Sequence, residues 1–113
     1  MESLLKFIER CKQVTELDVS HGKTTQNMVL STVAEFGEFC EELRIEDGVF
    51  GHEHKSPDEG TLGEGVDFII CALACYFSRP GASFDHLAGY GHKKLDKWEG
   101  SIARAAQRKE SVT

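Results

Sequence analysis

The chain has 113 residues, enough for one domain with a single core, and this length excludes a large enzyme with its own cofactor domain. Its 13 basic and 19 acidic residues give a formal net charge of −6, and the basic residues form no cluster, which argues against binding to DNA or RNA. The four cysteines lack CxxC spacing and lie mostly in apolar segments, so we expect reduced, buried thiols in a cytoplasmic protein.

No export or membrane segment is predicted. The first residues include the acidic Glu2 and Glu9 and contain no apolar stretch before a small-residue cleavage site, so we expect no signal peptide. The longest uncharged apolar run, Phe68 to Phe77, has about half the length that a helix needs to span a bilayer. We therefore expect no membrane partner.

Four helices and no strand are predicted, because apolar residues recur every three or four positions and nowhere alternate. The first is expected over about 3–17 and the second over about 25–45, with Thr24 or Thr25 as its N-cap. On the second helix an apolar stripe, the predicted core face, borders an acidic stripe. The apolar stripe comprises Val29, Val33, Phe36, Cys40 and Leu43, and the acidic stripe comprises Glu35, Glu38 and Glu42.

A polar loop from Gly48 to Gly60 precedes the third helix, which is expected over about 61–78 and is apolar nearly all round. Such a helix is buried on several sides, by the fold or by a second subunit, so we expect an oligomer. A fourth helix is expected from Ser83 or Asp85 to about Ala106, followed by a frayed tail. The predicted fold is all-α: an oligomeric antiparallel bundle of four to five helices, forming one domain over 1–113.

Two acidic pairs carry the strongest functional signal. Glu35 and Glu38, and then Glu64 and Asp67, are three positions apart, so each pair projects both carboxylates from one side of a helix. Asp67 interrupts an apolar segment, where an unpaired carboxylate is costly. Antiparallel packing of the second and third helices would bring the four carboxylates to one level, and all-oxygen ligands select Mg²⁺ or Mn²⁺ over Zn²⁺.

The small side chains that follow Asp67 on the same stripe, Cys71, Ala74 and Cys75, would leave room above its carboxylate. Glu42 is interpreted as a spare ligand or a group that supports the ligands. Glu41 is interpreted as solvated.

Each candidate also has a structural interpretation. Glutamates three positions apart on a helix are often solvated, so Glu35 and Glu38 alone would be interpreted as surface residues. Asp67 lies within an apolar helix, where solvation is less expected, so the four acids together favour a metal site. The loop residues His52 and His54 have no third ligand nearby and are interpreted as exposed. Two roles are equally consistent with the lysines of the fourth helix, exposure to solvent and contact with phosphates. These residues are Lys93, Lys94 and Lys97. The Trp98 ring is more typical of packing against other side chains than of stacking on a nucleotide base.

The pattern Glu35-x-x-Glu38, followed across a loop by Glu64-x-x-Asp67, resembles the ExxE and ExxD signature of the all-α nucleotide pyrophosphohydrolases, which include MazG-like proteins and the dCTP and dimeric dUTP pyrophosphatases. The resemblance spans nearly the whole chain. Asn27-Met28-Val29-Leu30 is similar to the Asn-Leu start of that family's Glu-x-Gly-Glu-Leu helix, and Lys94-Leu95-Asp96-Lys97 is similar to its Lys-Met-x-Lys-Asn segment. Trp98 stands where Asn is usual, and Leu62-Gly63-Glu64-Gly65-Val66-Asp67 replaces the commoner Glu-Leu-Ala-Asp.

The resemblance implies Mg²⁺-dependent hydrolysis of a nucleoside triphosphate between its α and β phosphates, by a homodimer or homotetramer. Glu35 and Glu38 would be the catalytic glutamates, with Glu38 also orienting the attacking water. On this basis we assign, as metal ligands, Glu35, Glu38, Glu64 and Asp67 and, as substrate contacts, Asn27, Lys94 and Lys97. Trp98, which departs from the family pattern, is added as a substrate contact that could stack on a base.

Three other functions stay open at this point. The chain could be a non-catalytic nucleotide- or metal-binding helical module, a purely structural helical oligomer, or an enzyme similar to phosphoribosyl-ATP pyrophosphohydrolase. No residue pattern indicates which base or sugar would be preferred.

Overall fold

A computed structural model of the chain describes residues 2–48 and 60–112, and all regular structure in this part is α-helical. The four helices are α1, Glu2–Ser20; α2, Thr25–Glu46; α3, Gly60–Phe77; and α4, Phe84–Val112. The all-α prediction is confirmed for these residues. The predicted polar loop, with its two histidines, lies outside the described residues except at its two ends.

Capping side chains fix where two of the helices begin. Thr24 is the N-cap of α2: its hydroxyl accepts a hydrogen bond from the Asn27 N–H at 3.1 Å, and the Asn27 side chain accepts one from the Thr24 N–H at 3.4 Å. Ser83 precedes α4 and its hydroxyl accepts from the His86 N–H at 3.0 Å. Gly22, with φ at 98°, permits the short turn between α1 and α2. The predicted caps Thr24 and Ser83 are confirmed.

The chain divides into two compact units, Met1–Pro80 with α1 to α3 and Gly81–Thr113 with α4. In the first unit α3 packs against both α1 and α2. The Thr25 and Ser78 hydroxyls are 3.1 Å apart, while the Thr61 hydroxyl donates to Glu46 Oε2 at 3.0 Å. Residue numbers therefore rise along α2 as they fall along α3, so these two helices are antiparallel, as predicted.

The face that α2 turns toward α3 differs from the predicted core stripe. Met28 and Glu42, at 3% and 2% exposed, are its buried residues, and positions 32, 35 and 39 between them are half-buried. Four members of the predicted stripe are 38% to 65% exposed: Val29, Val33, Phe36 and Leu43. The prediction was wrong because periodicity identifies an apolar face but not the surface that this face contacts. In this chain the carboxylate-bearing face packs on α3, and Val29, Val33 and Leu43 of the apolar stripe are exposed. Phe36, which is 51% exposed, still reaches Phe68 of α3, with the two ring centroids 5.2 Å apart.

Few apolar side chains of the described residues are buried. Met28 and Phe77 are the buried hydrophobic residues, whereas Leu5 on α1 is 61% exposed and Ile69 on α3 is 52% exposed. By length and apolar composition alone α3 could cross a membrane, a test that core helices of soluble proteins also pass. The first unit thus presents apolar surface on all three of its helices.

α4 continues to Val112 and does not end near Ala106. The predicted frayed tail is therefore wrong for residues 108–112, which are helical. The segment from Arg104 to Glu110 consists of good helix formers, Ala, Arg, Gln, Lys and Glu, with no Gly or Pro to stop the helix.

Candidate functional site

Three of the predicted ligands meet between α2 and α3. One carboxylate oxygen from each of Glu35, Glu64 and Asp67 lies within 4.8 Å of the other two. We call this cluster the carboxylate trio. Oxygens bound to one Mg²⁺ at about 2.1 Å lie at most about 4.2 Å apart, so small side-chain rotations would bring the trio onto one ion. The i,i+3 spacing aims Glu64 and Asp67 from one side of α3 toward α2, where Glu35 lies.

Glu64 is the most constrained member of the trio. The residue is 8% exposed, and its Oε2 has no hydrogen-bond partner among the described residues. Burial raises the pKa of Glu64 above its ordinary value; the negative charges of Glu38, Asp67 and Glu35 and a hydrogen bond with Glu38 raise it further. A buried carboxylate oxygen with no donor is unfavourable unless a proton or a cation occupies it.

Glu38 is exposed and lies outside the group of three, but its side chain reaches Glu64 closely enough to share a hydrogen bond. Two carboxyl groups can form that bond only when one of them holds a proton. The structure therefore brings all four predicted ligands together, with Glu38 on the solvent side. Glu42, the predicted spare or supporting group, is buried; Glu41, predicted to be solvated, is half-buried.

The other predicted site residues lie elsewhere along the helices. Asn27 belongs to the N-terminal cap of α2, eight residues or about 12 Å of helix before Glu35, and its Oδ1 accepts from the Thr24 hydroxyl at 2.7 Å. These contacts show that Asn27 caps the N-terminus of α2.

The three remaining predicted substrate contacts, Lys94, Lys97 and Trp98, are carried by α4, in the second unit. The Lys94 Nζ lies 5.2 Å from the Tyr90 ring centroid, within the range of a cation–π contact, and Trp98 is 64% exposed. No contact of these residues bears on substrate binding, so the three assignments stay predictions.

A cavity of about 400 Å³ lies between α1, α2 and α3. It begins one helical turn from the trio on both helices, because Ser31 lies four residues before Glu35, Cys71 lies four residues after Asp67, and both line it. Its apolar lining includes Phe7, Val14, Met28, Ile70 and Ala74, and its polar lining includes Arg10, Thr15, Asp18 and Lys23.

Most of the cavity residues were missed by the sequence reasoning, because they come from three helices whose packing no local pattern specifies. The one signal was the run of small side chains after Asp67, which predicted room above that carboxylate. Cys71 and Ala74 do line the cavity, one and two turns along α3.

Two thiols contribute to the cavity lining. Burial is the main cause that raises the pKa of both Cys11 and Cys71, and the Glu35 carboxylate raises that of Cys71 further. Both side chains are therefore neutral near pH 7 and act as small apolar groups. All four cysteines are free, as predicted, but they are half-buried and not buried.

Comparisons with known proteins identify no relative: no protein-family model, no curated protein and no solved structure matches the chain.

Glu64→Gln should stabilise the protein near neutral pH when divalent cations are absent. The raised pKa means that the folded state holds a proton on Glu64 more tightly than the unfolded state does. The contribution of this residue to stability is thus fully present below its ordinary pKa of 4.5 and declines as the pH rises through the raised value. Glutamine supplies a neutral donor at every pH, so the difference from wild type should be small at low pH and grow with pH.

Urea unfolding with a chelator present, across this pH range, measures the effect. Glu9→Gln is the matched control, since Glu9 is exposed on α1. A Glu64→Gln protein that is less stable than wild type near neutral pH would show that the buried carboxylate has a favourable partner.

Proposed function

We propose that the chain is a Mg²⁺-dependent nucleoside triphosphate pyrophosphohydrolase, a hydrolase that converts a ribo- or deoxyribonucleoside triphosphate to the monophosphate and pyrophosphate. The observation that carries the proposal is the buried Glu64 carboxylate, whose Oε2 has no hydrogen-bond partner among the described residues, inside a trio of acids from two helices. The resemblance of the two acidic pairs to the ExxE and ExxD signature supports the same reaction.

The trio fits a hard divalent cation. Every donor is a carboxylate oxygen, the ligand type that suits Mg²⁺ and also Mn²⁺. The neighbouring negative charges that raise the pKa of Glu64 are the charges that such a cation would compensate. When bound, the cation would neutralise phosphate oxygens and lower the pKa of the attacking water.

We assign different tasks to the acids of this site. Glu35, Glu64 and Asp67 would hold the cation, because one carboxylate oxygen of each lies within 4.8 Å of the other two. Glu38 is exposed beside Glu64, so its carboxylate is free to accept a hydrogen bond from a water on the solvent side. In this position Glu38 orients that water for attack at the α-phosphorus and takes its proton.

The cavity suits the nucleoside end of the substrate. It begins one turn, about 5.4 Å, from the trio along both α2 and α3, so a triphosphate at the trio would direct its nucleoside there. The apolar walls would suit the faces of a base, and Arg10 and the Asp18–Lys23 ion pair, whose charged atoms are 3.9 Å apart, would offer polar groups to its edge. This site lies in the first unit alone and does not depend on the predicted contacts of α4.

We further propose that the protein works as a homodimer or homotetramer, an oligomeric bundle of antiparallel helices. The apolar stripe of α2 supports this proposal: Val29 is 46% exposed, Val33 65% and Phe36 51%. Contiguous apolar surface of this kind is typical of interaction sites, and burying it would add to the small core of the single chain.

Pyrophosphate release tests the proposed reaction. With Mg²⁺ and a panel of canonical and modified nucleoside triphosphates, we expect at least one substrate to yield pyrophosphate and nucleoside monophosphate in equal amounts. Glu38→Gln and Asp67→Asn should each reduce turnover by about a hundredfold or more, because they remove the base and a cation ligand. Glu9→Gln should leave turnover unchanged.

Full turnover in a folded Asp67→Asn protein would contradict the assigned site. Binding of nucleotide and Mg²⁺ without any turnover would instead identify a non-catalytic binding module.

Filling the cavity tests where the nucleoside binds. Ala74→Phe places a large ring into the cavity and should raise KM by about tenfold or more, which corresponds to about 1.4 kcal/mol of lost binding. Ala72→Phe is the matched control, because Ala72 lies on the exposed side of the same helix. Equal KM values for the two variants, with Mg²⁺ affinity unchanged in both, would show that the substrate does not use this cavity.

A further inference from the structure

The apolar residues of α4 follow a heptad pattern. Seven positions are spaced alternately four and three residues apart, and every one is apolar or small: Phe84, Ala88, Gly91, Leu95, Trp98, Ile102 and Ala105. We call them the α4 seam. Their mean spacing of 3.5 residues is the repeat of a two-stranded coiled coil, whereas an apolar face on a straight helix follows 3.6.

The α4 seam is exposed and narrow. Leu95, Trp98 and Ile102 are 54%, 64% and 57% exposed. The positions on both sides of the seam are mostly polar, so the apolar band covers about two positions in seven, the width of a coiled-coil seam and not of a helix face on a globular core. A helix gains most of its stability from packing such a face. The three glycines within α4, each costing about 1 kcal/mol, increase that need.

We propose that the α4 seam pairs with the same seam of a second copy of this chain, as a parallel, in-register, two-stranded coiled coil. The charges beside the seam select this occupant and orientation. With Leu95 and Ile102 at a and Trp98 at d, Lys94 occupies g and Glu99 occupies e. In a parallel pair each g residue faces the e residue five positions later in the other chain, so Lys94 meets Glu99 of the second copy. Two-fold symmetry forms this ion pair twice.

The antiparallel arrangement lacks this complementarity. It places g opposite g and e opposite e, and the charged g residues, Lys94 and Arg108, are both basic, while the charged e residues, Asp85 and Glu99, are both acidic. No antiparallel register therefore forms an attractive pair from these positions, and some bring like charges together. The small Ala88 and Gly91 leave room for close approach near the start of α4, while the larger residues fill the later layers.

This interface is independent of the carboxylate trio and of the apolar stripe on α2. It adds a dimer contact made by the second unit, and its failure would leave the proposed hydrolase activity standing.

Disulfide trapping in the full-length chain tests the pairing. Ala105→Cys introduces a thiol at a d position, where two parallel, in-register helices bring equivalent residues together. α4 contains no native cysteine, so peptide mapping identifies a 105–105 link without ambiguity. We expect most of the oxidised protein to carry this link. Gln107→Cys, on the outward side of α4, should form at least about tenfold less dimer under the same conditions.

Trapping of the Ala105→Cys link after a change within the seam provides the second measurement. Ile102→Glu should weaken α4 pairing by about tenfold or more, because it places two like charges in the seam, whereas Ile102→Leu should retain it. A 105–105 link no more frequent than the 107–107 link, or a 105–105 link that Ile102→Glu leaves as frequent as before, would overturn the proposal. If the first unit of the same chain covered the seam, the 105–105 link would be no more frequent than the 107–107 link.

Discussion

A buried acid surrounded by other acids sets the main physical constraint on the contact between α2 and α3. Glu64 is 8% exposed, and its nearest charged neighbours are Glu38, Asp67 and Glu35. Folding moves this carboxyl group out of water and beside three negative charges, and both changes oppose its ionisation. Protonation of Glu64 relieves this cost, and a bound divalent ion would relieve it as well, so the folded state has a physical reason to bind such an ion.

The contact between α2 and α3 contains both acids and apolar residues. Glu35 and the buried Glu42 lie on the α2 face that contacts α3, and Phe36 of the apolar stripe reaches Phe68 of α3, while Val29 and Val33 are exposed. Because acids occupy part of this contact face, the helix pair buries little apolar surface, and hydrophobic burial is the main favourable contribution to folding. Under the proposed function, cation binding and burial of the exposed apolar residues of α2 against other copies would add stability.

Local signals in the sequence predicted the helices and most of the carboxylate site. Thr24 and Ser83 have side chains that cap helices, and i,i+3 spacing alone places Glu64 and Asp67 on one side of α3. These features depend only on residues within one helical turn of each other, so they can be identified directly from the sequence. The aspartate inside the apolar helix indicated where the acids would meet, but Asp67 is half-buried and the buried carboxylate is that of Glu64.

Features that depend on contacts between helices could not be predicted. The apolar stripe of α2 was assigned to the core, but a stripe does not specify whether its partner is the same chain or another one. The cavity is formed by three helices, and only the small residues Cys71 and Ala74 indicated it. The end of α4 was placed too early because good helix formers were interpreted as a tail. Glu41 was expected in solvent, but the rotation of α2 about its axis leaves it half-buried.

Calorimetric titration with Mg²⁺ near neutral pH is the most direct test of the central claim that the trio holds a cation. We predict saturable binding in the wild-type protein and its loss in Glu64→Gln, which keeps the size of the side chain but removes the charge. Glu9→Gln should bind like wild type. Weak, non-saturating heats that are the same in all three proteins would contradict the claim, because they would show that the acids of α2 and α3 attract Mg²⁺ no better than solvated surface charges do.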